Sequence, residues 1–215
     1  MKKISLSEII KMDKVPRLNL INSATGYKSA NLIGTRSIDG KENVAIFSSV
    51  TQLGSEPPLV GFILRPTTVP RDTYKNIKET DFFTINHITE EMIADAHHTS
   101  ANYEQGVSEF EETNLTSEYL DDYKCPFVKG SPVRLLCKYV NEYYLKENDC
   151  IHIIASIETI YAEEELIQKD NWLQLDKGNI VAINGLDGYA LPKLIDRFEY
   201  ARPKQKSKSM LRNGA

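Results

Sequence analysis

The sequence predicts a mainly β protein, an antiparallel barrel with helices inserted between its strands. At least six runs rich in branched and aromatic residues recur along the 215 residues, at the spacing of an antiparallel barrel. Asp-Gly and Asn-Gly pairs, which tolerate the positive φ of tight hairpins, punctuate the chain near several of these runs. The regular strand–helix alternation of a parallel α/β fold is missing, as are a GxGxxG opening a helix after a first strand and a Walker lysine loop.

Taken in order, residues 5–13 have the spacing of a short amphipathic helix, and "RLNLINSATG" (17–26) and "ANLIGTRS" (30–37) look extended. "IDGK" (38–41) supplies an Asp-Gly turn, so "NVAIFSSV" (43–50) is the return strand of a hairpin. "PPLVGFIL" (57–64) is almost continuously apolar and suits a strand covered on both faces. A helix opens around Thr73, with Tyr74, Ile77 and Lys78 on one side, and "DFFTINHI" (81–88) is the next strand. Residues 89–122 are acidic and polar, which predicts two short helices joined by loop. Strand character returns in "VRLLCKYVNEYYL" (133–145) and "CIHIIASIETIYAEEEL" (150–166), and "GNIVAINGLDGYALP" (178–192) predicts a strand ending in tight turns.

This gives an N-terminal extension (1–28), one domain (29–203) with a helical insertion (89–122), and a basic C-terminal tail (204–215). An apolar share of 41% provides for an ordinary core, and a net charge of −4 argues against nucleic acid as a partner. A run of about 20 apolar residues is absent, so no membrane span is expected. Cys125, Cys137 and Cys150 are odd in number and lack CxxC spacing, which predicts reduced thiols in a cytoplasmic protein. Cys125, beside Pro126, is the one expected to be most exposed.

Chemistry concentrates in "RPTTVPRDTYKNI" (65–77). Arg71, Asp72 and Thr73 stand at a helix start, where unpaired N–H groups favour an anion. Arg65 and Arg71 offer charge-assisted bonds to phosphate oxygens, and Thr67, Thr68 and Thr73 add hydroxyls. The competing expectation is a capped helix whose arginines face water. In "NVAIFSSV", paired serines beside apolar surface suit a flat heterocycle with polar edges, or else a strand end whose serines satisfy local backbone. His87 and His152 read as structural, and Trp172 as packing.

The stretch from "SANLIGTRS" through "IDGK", "NVAIFSSV", "PPLVGF", the Arg-Asp-Thr helix start and "FTIN" resembles the flavin reductase-like family. "EFEETNL" fits that family's acidic insertion, and "INGLDGYALPKLIDRFEYARP" is similar to the ending of its flavoredoxin-like branch. The resemblance spans about residues 29–203. It implies an FMN-binding split β-barrel of Greek-key type, with FMN, or FAD, as cofactor. Phe47, Ser48, Ser49 and Val50 would line the isoalloxazine and ribityl chain. Thr67, Thr68, Arg71 and Thr73 would hold the phosphate, with Arg65 as a second cation. It further implies electron transfer from NAD(P)H to a small-molecule or protein acceptor, or else an electron carrier reduced by a protein partner. A homodimer, built partly on "YVNEYYL", and a substrate side bordered by His97 and His98 belong to the same expectation.

Overall fold

The computed structural model describes residues 1–104 and 106–211; the last four residues of the basic tail lie outside the described residues. In chain order the elements are α1 (Leu6–Lys11), α2 (Lys14–Ala24), β1 (Lys28–Ser29), β2 (Asn31–Arg36), β3 (Glu42–Phe47), β4 (Thr51–Ser55), β5 (Pro58–Leu64), α3 (Asp72–Thr80) and β6 (Phe82–His87). The insertion holds a short 3-10 turn, α4 (Ile93–His98), α5 (Glu109–Glu112) and β7 (Ser117–Glu118). Then follow β8 (Phe127–Val128), the long hairpin β9 (Val133–Leu145) and β10 (Cys150–Ala162), and β11 (Ala182–Asn184) with β12 (Gly188–Ala190).

α1 begins at a capping box, in which the Ser5 N–H donates to Glu8 Oε2 at 2.7 Å while the Ser5 hydroxyl accepts from the Glu8 N–H. Residues 17–24, expected to be extended, are helical. The Leu-Asn alternation that reads as a strand coincides with a three-residue spacing of Val15, Leu18 and Ile21, and Pro16 sits in the first turn, where its missing N–H breaks no bond. Neither helix buries a residue.

Seven strands form one sheet in the order β3-β2-β6-β9-β10-β5-β4, every pair antiparallel. The connection through α3 carries the chain from β5, near one edge, to β6 in the middle. The two edge strands, β3 and β4, are consecutive in sequence, separated by Ser48, Ser49 and Val50 alone. A flat sheet would hold its edges about 29 Å apart at the usual strand spacing. From Phe47 to Thr51 the chain reaches at most about 14 Å. The sheet therefore curls until its edges meet, which makes a split barrel.

Alternation along β2 shows how the two sides are filled. Ile33 points into the barrel with Phe62, Phe83, Ile85, Ile153 and, from α3, Ile77. Leu32 points outward, where the insertion and β11 cover it together with Val44, Ile88, Ala96 and Ile183. The edge of β3 is covered too: the Val44 N–H donates to Glu109 Oε2 and the Ile46 N–H to Thr99 Oγ1, each at 3.0 Å. The insertion thus caps an edge that would otherwise present free donors. Among the described residues no helix is long and apolar enough to cross a membrane.

Candidate functional site

A seam remains where the curled sheet closes, between β3 and the last residues of β5. β4 pairs with β5 only as far as Gly61, so Phe62 to Leu64 have a ladder partner on the β10 side alone. At one end of the seam the Ser49 hydroxyl accepts from the Ile63 N–H at 3.0 Å and stands 3.3 Å from the Ile63 carbonyl, to which it donates. Ser29 Oγ donates to the Val50 carbonyl at 2.9 Å, and the Phe47 ring meets Phe62 edge-on at 5.1 Å. At the other end, Asn43 Nδ2 donates to Thr73 Oγ1 at 3.1 Å and to Thr35 Oγ1 at 3.2 Å, while Asn76 Nδ2 reaches the same Thr35 oxygen. These four buried side chains dock the first turn of α3 onto β2 and β3.

The loop 65–71 leaves β5 at this seam and carries the phosphate candidates. Arg65, Thr67 and Thr68 are exposed. Arg71 is half-buried as the residue preceding α3, and its Nε makes a long bond of 3.4 Å to the Pro66 carbonyl. Among the described residues no side chain caps α3, which leaves its first N–H groups without a side-chain partner, next to Arg71 and with Asp72 as the one acidic residue in that turn. The expectation that Asp72 or Thr73 caps this helix is therefore not met. Thr73 is 5% exposed, and its oxygen serves the Asn43 network. The Ser48 hydroxyl makes no hydrogen bond among the described residues, whereas that of Ser49 is held by Ile63.

The chain thus brings residues 47–50 and 65–73, separated in sequence, to the two ends of one seam about one strand long. An FMN-sized group fits this donor set: two cations and bare helix N–H groups at one end, hydroxyl and apolar surface at the other. Asn31 adds to the fit. It is 1% exposed, lies opposite Phe47 in the β2–β3 ladder, and neither polar atom of its amide has a partner among the described residues. Sequence reasoning missed Asn31, Thr35 and Asn76 because a polar residue inside a strand or helix looks solvent-facing until its neighbours are known. Only Asn43, at the start of a strand that ends in the site, carried a usable signal.

Other candidates sit elsewhere. His87 ends β6 half-buried, and desolvation there pushes its pKa down to about 4. His97 Nδ1 lies 3.1 Å from the Tyr189 hydroxyl, and His98 Nδ1 is 3.3 Å from that of Tyr103. His152 stacks over Gly61, where a Cβ would come within 2.7 Å of its Nε2. Trp172 carries the Arg197 guanidinium 4.2 Å above its ring, a packing role. Cys125, expected to be the exposed thiol, is buried against Phe127 and Leu136, and that burial raises its pKa to about 11.

Comparison with known proteins identifies the family and the fold. Residues 27–182 match the family described as flavin reductase like domain. A split-barrel protein from Shewanella frigidimarina is 41% identical and superposes with a TM-score of 0.90 over 94% of this chain and 100% of its own. Nitrilotriacetate monooxygenase component B from Bacillus cereus, 21% identical, shares the fold with a TM-score of 0.78 over 93% of this chain and 98% of its own. Flavoredoxin of Desulfovibrio vulgaris, 18% identical, does so at 0.68 over 83% and 91%. An uncharacterised protein of Aquifex aeolicus is 30% identical over 141 residues, 65% of this chain and 70% of that protein. With a split barrel and a family match over residues 27–182, the chain belongs to the flavin reductase-like family.

Proposed function

We propose that this chain is an FMN-dependent oxidoreductase that takes electrons from NADH or NADPH and delivers them to a small-molecule or protein acceptor. The observation that carries this reading is the seam. It ends at the uncapped start of α3, which Arg71 precedes and whose loop also carries the exposed Arg65, and it begins at Ser48, the residue after Phe47 of the Phe47–Phe62 pair. Bound there, FMN supplies the hydride and electron chemistry, and the protein supplies position and electrostatics. Arg71, Arg65, Thr67 and Thr68 hold the phosphate, and the N–H groups opening α3 add their dipoles. Thr73 acts from behind, fixing α3 against Asn43 so that those N–H groups stay aimed. Ser49 holds the ring end of the seam at one width, and Ser48 with the amide of Asn31 meets the polar edge of the flavin. Phe47 and Val50, which pack on the same cluster, exclude water from its face.

The working form is a homodimer in the cytoplasm. α1 and α2 bury nothing on their own chain, and Val140, Tyr143 and Tyr144 are more than half exposed on the β9–β10 hairpin. Residues 1–28 hold six basic and two acidic side chains, and 202–215 hold five basic and none acidic, against fifteen basic and twenty-eight acidic in between. Basic, apolar ends match the acidic body of a second copy. Sedimentation velocity tests this, with a monomer at micromolar concentration as the contrary result.

The test of function is an absorbance titration with FMN, followed by NADH or NADPH without oxygen. Saturable binding with bleaching faster than free FMN supports the reductase. Binding without bleaching replaces it with an electron carrier reduced by a protein. Absence of FMN binding overturns the site.

A further inference from the structure

A second cavity lies one wall away from the seam. It measures about 660 Å³ and is lined by Arg36, Lys41, Glu42, Ser108, Glu111 and Tyr119, at the tip of the β2–β3 hairpin where the insertion roofs it. Neither cation forms an ion pair among the described residues. Arg36 Nε bonds the Gly40 carbonyl at 3.1 Å, and its guanidinium lies 5.8 Å from the centre of the Tyr119 ring. The Tyr119 hydroxyl donates to Glu42, so that carboxylate is partly engaged, and Glu111 is the free acid of the lining. Ser108 is 9% exposed, and its hydroxyl has no partner among the described residues.

Two pairs of consecutive residues straddle the wall. Glu42 lines the cavity while Asn43 holds Thr73 at the seam; Ser108 lines it while Glu109 holds the Val44 N–H. A molecule seated in the seam therefore has this cavity beside its phosphate end.

We propose that the cavity is a subsite for a phosphorylated adenosine. An aromatic ring under a guanidinium offers a stacking surface for a purine, carboxylates accept from ribose hydroxyls, and Lys41, Arg36 and the orphan Ser108 hydroxyl suit a phosphate. Its volume falls in the range of sites for small ligands. Two sources share this chemistry: the adenosine half of a nicotinamide dinucleotide and that of FAD. The proposal rests on the flavin reading of the seam, and it assigns the cavity the choice among nucleotides.

The test uses isothermal titration of the full chain, with Lys41→Gln and Arg36→Gln beside the parent. Both substitutions are at side chains outside the buried clusters, and circular dichroism verifies the fold. FMN is titrated first; its failure to bind sinks the flavin reading and this one with it. On FMN-loaded protein, adenosine 2′,5′-bisphosphate should bind saturably, and Lys41→Gln should weaken it about tenfold, the loss of one charge-assisted bond, with the FMN affinity unchanged. Displacement of the bisphosphate by NADPH assigns the cavity to the nicotinamide dinucleotide. Tighter binding of FAD than FMN to the flavin-free protein, with that advantage lost in Lys41→Gln, assigns it to FAD. Normal FMN binding without bisphosphate binding, or bisphosphate binding indifferent to both substitutions, overturns the subsite alone.

Discussion

Arg71→Ala is the sharpest probe of the phosphate end. In the structure this side chain makes one long bond to the Pro66 carbonyl and no ion pair among the described residues, so its removal leaves the fold almost untouched. Surface changes of that kind stay within about 0.5 kcal/mol of the parent stability. If the guanidinium holds a phosphate, the loss is that of a hydrogen bond between charged groups, about 1.5–3 kcal/mol. That is roughly a 10- to 150-fold rise in the Kd for FMN. Arg65 is more exposed and better screened, so Arg65→Ala should fall at or below the lower end of that range. Flavin fluorescence titration measures both, and riboflavin, which lacks the phosphate, is the internal control. Its affinity should be the same for parent and variants. An FMN affinity within about twofold of the parent, or an equal loss for riboflavin, would refute the assignment.

Thr73→Val should act on stability first. It strips one of two acceptors from the buried Asn43 amide, a loss of about 1–2 kcal/mol, seen as a lower midpoint in urea. Ser49→Ala removes the bridge to Ile63; the Ile63 amide should then exchange its hydrogen markedly faster while amides of the β9–β10 ladder keep their protection. An unchanged Ile63 rate would mean that the seam is closed by other contacts. His87 titrates at about 4 when folded and near 6.5 when unfolded. The unfolded chain therefore binds the extra proton as pH falls from about 6.5 to 4, and stability drops through that window by up to about 3 kcal/mol. Urea midpoints at pH 7.5 and 5 should show it, and His87→Gln should flatten the slope. The thiols of Cys125, Cys137 and Cys150 are all buried, so Ellman's reagent should react with them only at the rate of unfolding.

The strands, the hairpin turn and the start of α3 were legible because each rests on local chemistry. Asp39-Gly40 turns the chain at a Gly with φ +91, and Ile77 with its neighbours marks the buried side of α3. β4 was missed for the matching reason. It is an exposed edge strand, and "TQLGS" has no buried side to impose a period. The two halves of the site were both visible in the sequence, but their meeting was not. It follows from the strand order, which brings Phe47 to Phe62 and Asn43 to Thr73. The division of labour within each half was equally hidden. Ser48 and Ser49 are neighbours of one type, yet only the second finds the backbone of Ile63. Arg71 and Thr73 flank one helix start, yet the first faces out and the second in.

The three-residue link between β3 and β4 has a consequence beyond closing the barrel. Adjacent strands twist by about 20–25°, and six such steps separate one wall of the seam from the other. A small change in any step is not absorbed locally; it is summed around the sheet and appears at the gap, as the error of every stone in an arch appears at the crown. The width of the seam is therefore a property of the circumference, and residues far from it, such as those where the β9–β10 register shifts between Ile154 and Ala155, help to set it. A ligand wedged across that gap would work as a keystone, and its hold on the protein would measure how true the whole ring is.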